Sequence, residues 1–324
     1  MNMKLKTPAL LAAVALFATS ASAETVLRLG HVWPDSEIHA QAAEQFAEAV
    51  SEATGGEVTV EIFGGGTLGS DREILEGLKI GTADIWLGGG GVLSAASDTA
   101  KIFTVPFMFD NLDHFAAIYD GEVGQSITEA IDEESGYQIL AYWMRGPRWL
   151  TTKTRVETPE DLLGLKIRVP DSSVFVESWR QLGASPTPMN FGEVFTALQQ
   201  GVIDGQENPL SLIYASKFSE VVDFLGDTQH VMEPIAVVAS SSRLSQLGEE
   251  EQAAILEAAN GVAKSFVAES VRSGEANFLQ KLQDEGMELV EVDKEAFRST
   301  LDGFVDTHFP SLGDVYGEIR NAAE

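Results

Sequence analysis

Between Val26 and Leu87 the chain alternates strand-like and helix-like segments, and this alternation constrains its fold more than any other feature. Val26–Val32 predicts a strand. Ser36–Ala53 predicts an amphipathic helix, with Ile38, Ala42, Phe46 and Val50 on one stripe and Gly55-Gly56 to end it. Val58–Phe63 alternates with period two, as a half-buried strand does. Ser70 and Glu73 make a capping box for a helix over Asp71–Ile80, and Ala83–Leu87 supplies a third strand. Such a βαβαβ run buries its apolar faces in a parallel sheet covered by helices on both sides.

The same grammar returns later. Tyr137–Trp143 predicts a strand, and Thr158-Pro159-Glu160-Asp161 a helix start with Thr as cap and Pro at the first position. Leu165–Val169 predicts a strand stopped by Pro170, and Phe191–Gln200 a helix ended by Gly201. Val202-Ile203 predicts a short strand before Gly205. The expectation is two α/β lobes with no sequence repeat between them. From Glu249 to Glu285 there is no proline, and the composition favours helix throughout. That stretch is either one helix of about 55 Å, long enough to brace both lobes, or two ordinary helices broken at Gly274.

Composition narrows the function. The chain has 324 residues, 50 Asp+Glu against 21 Lys+Arg, a net charge of −29 and no cysteine. A broad basic face for nucleic acid is excluded, as are disulfide scaffolds, iron–sulfur clusters and Cys-rich zinc sites. Met1–Ala23 reads as a secretory signal: Lys4 and Lys6, an apolar run Ala9–Ala18, then Ala21-Ser22-Ala23 as the cleavage site. The expected product starts at Glu24 and is free in the periplasm, with no Cys there for a lipid anchor. An acidic protein that binds an anion must use a few local cations, so each arginine at a strand end is informative.

No nucleophile elbow, H-E-x-x-H or Walker motif occurs, and nothing calls for a metal or cofactor. Gly88–Gly91 follows a strand but lacks the spacing of a dinucleotide fingerprint; it suits close backbone approach. His31, His39, His114, His230 and His308 show no ligand spacing and read as surface or hydrogen-bonded residues. Arg168 stands out. Strand parity puts Leu165, Ile167 and Val169 on one face and Lys166 and Arg168 on the other. Arg168 ends its strand, where open α/β sheets place ligands, and a guanidinium there grips a carboxylate with two parallel hydrogen bonds. A structural ion pair explains the spacing equally well. Arg148 is a second cation for the same cleft; Arg145 competes with it, and one of the two is expected to be solvated. Asn208, held extended before Pro209, offers a donor and an acceptor to a ligand or closes an Asx turn.

Gly164–Pro170, Leu182-Gly183-Ala184-Ser185-Pro186-Thr187-Pro188-Met189, Glu193–Gly201 and Asp204–Pro209 together resemble a DctP-type solute-binding protein of a tripartite ATP-independent periplasmic (TRAP) transporter. The resemblance extends over Gly30, Leu68-Gly69, Pro106-Phe107 and the long helical stretch. It implies an α/β, two-lobed periplasmic binding protein (type II-like) whose long helix braces both lobes. It implies a monomer that closes on an organic anion and docks transiently on small and large membrane subunits. Position by position, Arg168 matches the arginine on the substrate carboxylate, Arg148 a second pocket arginine, Asn208 a carboxylate-binding asparagine and Phe191 a pocket aromatic. His31, Trp33, Asp71, Arg72, Trp86 and Gly89 fall in first-lobe segments that select the rest of the ligand. Gly89 stands near a position where sialic-acid binders carry Glu, which argues against that ligand.

The expected lobes are 24–147 plus about 234–273, and about 148–233 plus 274–324. The expected ligand is a carboxylate-bearing organic acid: a sugar acid such as a hexuronate or aldonate, or a C4-dicarboxylate. The rival from another class is a secreted α/β enzyme acting on sugar acids, with Glu207 or Asp71 as acid or base. Turnover separates the two.

Overall fold

The computed structural model describes residues 24–322; the expected signal segment, Met1–Ala23, lies outside them. Among the described residues eleven strands form two sheets: β1 (Thr25–Gly30), β2 (Val58–Phe63), β3 (Ile85–Gly89), β4 (Gln138–Trp143), β5 (Arg148–Thr152), β6 (Lys166–Val169), β7 (Ser185–Pro188), β8 (Gly205–Pro209), β9 (Phe224–Gly226), β10 (Ile235–Ala239) and β11 (Glu288–Val290). The first sheet runs β2-β1-β3-β10-β4 and the second β11-β9-β5-β8-β6-β7. The molecule is thus two α/β lobes, each with its own sheet.

The leading βαβαβ unit forms as its pattern dictates. β1 pairs in parallel with β2 and β3. The helix Ile38–Ala53 buries its predicted stripe, and the Ser70–Glu73 capping box opens the helix Asp71–Ile80, with Gly81 ending it at φ 79°. The sheet is not all parallel, however. β10, a fully buried Ile-Ala-Val-Val-Ala run, inserts antiparallel between β3 and β4 after the chain has built the second lobe. In that lobe Val202-Ile203 is no strand; the chain turns there and pairs over Gly205–Pro209 instead. The helix start at Thr158 yields a single turn, Pro159–Leu162.

The chain crosses between lobes at 144–147 and again at 227–234. The two crossings are tied by the Arg148 amide donating to the Val231 carbonyl at 2.9 Å. A third link is the long helix. It runs through Glu249–Val262, a π turn at Ala263–Val267 and Ala268–Asp284. The irregularity is that π turn, not a break at Gly274, which is buried inside the helix. Its first half takes a 2.9 Å hydrogen bond from the Trp143 indole to the Ala259 carbonyl, while Leu282 near its end is buried in the second lobe's core. One helix braces both lobes.

Among the described residues no helix is long and apolar enough to cross a membrane.

Candidate functional site: the cleft between the lobes

Both sheets change strand order at the cleft. In the first, β2 and β3 flank β1; in the second, β7 and β8 flank β6, all in parallel. Such switch points leave a crevice at the strands' carboxyl ends. The residues following those ends meet there: Trp33 after β1, Gly89 and Gly91 around the end of β3, Arg168 and Pro170 around that of β6, and Asn208 in β8. They line an inner cavity that adjoins an outer one at the mouth of the cleft. Asp71, Arg168 and Phe191 line both.

The crossings add charge to the floor. Arg145 and Arg148 are both buried, so neither is the solvated one the sequence suggested. Arg148 is fully committed. Its Nε donates to Glu207, Nη2 donates to Glu207 Oε1 at 2.7 Å, and Nη1 donates to Glu233 Oε1 at 3.1 Å. Burial alone would raise the Glu207 carboxyl, but Arg148 and His230 hold it down at about 2. Arg145 donates from Nη1 to Glu233 Oε1 at 2.6 Å, while its buried Nε has no partner among the described residues. Glu233 lies against the end of β3, where a Cβ on Gly89 would sit 2.6 Å from its Oε1. This is the close approach that the glycine run suggested.

Arg168 differs from both. It is 4% exposed, and its Nε and Nη2 donate to a single acceptor, the Met189 carbonyl, at 3.0 and 2.7 Å. No carboxylate among the described residues is within ion-pair distance, so the structural ion pair is absent. Burial depresses this guanidinium to about 10, still charged at neutral pH. Its Nη1 has no protein acceptor among the described residues, and Phe191 lies 5.9 Å from its Cζ. Asn208 forms no Asx turn; it is part of β8, donates from Nδ2 to Gln206 Oε1 at 2.5 Å and faces Arg145.

The first-lobe residues divide. Trp33, Asp71 and Gly89 line the inner cavity. Burial pushes the Asp71 carboxyl up to about 6, although the Trp86 indole donates to it at 3.0 Å. His31 and Trp86 are not in the lining. His31 accepts from the Trp33 amide at 3.3 Å and stacks on its ring; Trp86 sits behind Asp71. Arg72 stands exposed at the outer cavity, bridging the lobes to Asp171 at 3.2 Å. Of the rival reading's two acid–base candidates, Glu207 is buried and locked by Arg148, while Asp71 lines the inner cavity. Sequence reasoning missed Glu233; it precedes a proline, but no spacing marks it.

This geometry has known counterparts. A solute-binding protein of Roseobacter denitrificans is 37% identical over 323 residues, covering 99% of this chain and 97% of its own. A TRAP periplasmic solute-binding protein from that organism, crystallised with L-galactonate, superposes with a TM-score of 0.87 at 35% identity, over 91% of this chain and 98% of that one. One from Polaromonas, bound to D-erythronate, gives 0.86 at 32% identity, over 92% and 98%. The family model for bacterial extracellular solute-binding protein, family 7, matches residues 29–311. The chain belongs to this DctP family of TRAP solute-binding proteins.

Proposed function

We propose that the protein captures a sugar acid, an aldonate or uronate, between its lobes and passes it unchanged to the membrane subunits of a TRAP transporter. The observation that carries this reading is Arg168, a buried cation at the cleft with no carboxylate of its own. A buried charge is costly until something neutralises it, and a ligand carboxylate does so. Asn208 adds an amide beside it, and Phe191 lies under it. Trp33, Asp71 and Gly89 contact the rest of the ligand, His31 and Trp86 act from behind, Arg148 holds the floor, and Arg72 closes the rim. The relatives bound to L-galactonate and D-erythronate, both polyhydroxy monocarboxylates, support this ligand class.

In this reading the protein is a monomer, cut after Ala23 and periplasmic. It hinges at the two crossings between lobes 24–147 plus about 234–273 and about 148–233 plus 274–324. It binds without turnover; Glu207, one of the rival reading's two acid–base candidates, is engaged by Arg148 and His230, and the other, Asp71, serves as a ligand contact. A thermal-shift screen of aldonates and uronates tests the proposal. Binders should raise the melting temperature, since ligand at a hundred times its Kd stabilises by about 2.7 kcal/mol. Mass spectrometry should recover the acid unaltered. Product beyond one equivalent, or stabilisation by neutral sugars as large as that by acids, contradicts it.

A further inference from the structure

Arg145, Arg148 and Arg168, all buried, share the cleft floor with the buried Glu207 and Glu233. Glu207 and Glu233 pair with Arg148 and Arg145, and Arg168 is the one of the three arginines that makes no ion pair among the described residues. Glu233 is not used up by this. Oε1 receives both Arg145 and Arg148, whereas Oε2 has no hydrogen-bond partner among the described residues. Oε2 faces Gly91, where an added Cβ would lie 3.3 Å away. Glu233 and Gly91 both line the inner cavity. Asp71, in the same lining, keeps one oxygen on the Trp86 indole, and Glu233 is among the charges that push its carboxyl up. Away from Arg168, then, a ligand meets two acidic side chains and an Arg145 whose charge is already offset.

We propose that Glu233 is a specificity-determining residue: it turns its spare oxygen on the uncharged part of the ligand, accepts from a hydroxyl there and rejects a second carboxylate. A hydroxyl can donate to that oxygen; an ionised carboxylate cannot, and burying it beside Glu233 and Asp71 places like charges together in a low-dielectric cleft. The site therefore selects hydroxylated monocarboxylates over C4-dicarboxylates and aldarates. This rests on the carboxylate-clamp reading above.

The test is calorimetry on a matched pair: the best-binding aldonate from the screen and the aldarate made by oxidising its terminal carbinol. In the parent the diacid should bind about a hundredfold more weakly, or worse. Glu233→Gln keeps the side chain's size and removes its charge. It should bring the two acids within about tenfold, with the diacid gaining affinity in absolute terms. A parent that binds both acids alike overturns the assignment while leaving the carboxylate clamp standing. A folded Glu233→Gln protein with an unchanged ratio also overturns it. If no acid binds the parent, the clamp fails and the assignment with it. The parent's own ratio decides the matter should the variant not fold.

Discussion

Replacing Arg168 by alanine is expected to weaken sugar-acid binding by roughly a hundred- to several-thousand-fold while leaving the fold intact. Losing one partner of a buried ion pair costs about 3–5 kcal/mol, and about 1.4 kcal/mol is a factor of ten. The protein itself makes no ion pair with Arg168, only the two hydrogen bonds to Met189. Removing the side chain therefore deletes a burial cost from the unliganded closed form, and its melting temperature should hold or rise. Arg168→Lys keeps a charge without the planar fork and should fall between. Calorimetry and thermal unfolding on the same preparations read both quantities. An Arg168→Ala protein that binds within threefold of the parent places the clamp elsewhere.

Glu207→Gln should do the reverse. Glu207, with no solvent exposure, accepts from Arg148 through both carboxylate oxygens and contacts His230 at 3.1 Å. Neutralising it strands Arg148 beside Glu233 alone, and unpairing a buried charge destabilises by about 3–5 kcal/mol. The pH dependence has a definite sign. The Glu207 carboxyl is held at about 2, below its usual value near 4.3. Its stabilisation is complete above that ordinary value and is lost as pH falls toward 2. The variant should lose stability at neutral pH and show a smaller further loss on acidification over that window. Urea unfolding at pH 7 and pH 3 measures both; equal stability of parent and variant at pH 7 removes Glu207 from the floor's support.

Local pattern made much of this readable in advance. The stripe of the Ile38–Ala53 helix, the Ser70–Glu73 box and the parity that set Arg168 opposite Ile167 all depend on neighbours a few residues away. Arg168's ending of β6 placed it at the cleft because strand ends are where open sheets bind. The partners of the other arginines were not readable. Arg145 meets Glu233 across 88 residues of chain, and Arg148 meets Glu207 across 59, at crossings that exist only once both lobes have formed. Spacing could not show which arginine was committed and which kept a free donor.

β8 was hidden for another reason. Gly205-Gln206-Glu207-Asn208-Pro209 looks like a polar loop, yet every residue is buried, because Gln206, Glu207 and Asn208 bond to Thr151, Arg148 and one another between β5 and β6. Burial by mutual hydrogen bonding leaves no apolar signature. β10, by contrast, is plainly apolar, but its antiparallel place in the first sheet depends on the chain's return from the second lobe.

The central claim is that the cleft closes on a carboxylate held by Arg168, and a crystal structure with the tightest-binding sugar acid tests it most directly. The account predicts the carboxylate within hydrogen-bond distance of the Arg168 guanidinium and the Asn208 amide, over Phe191, with hydroxyls turned toward Asp71 and Glu233. A ligand whose carboxylate sits away from Arg168, or which occupies a site outside the two cavities, would contradict it.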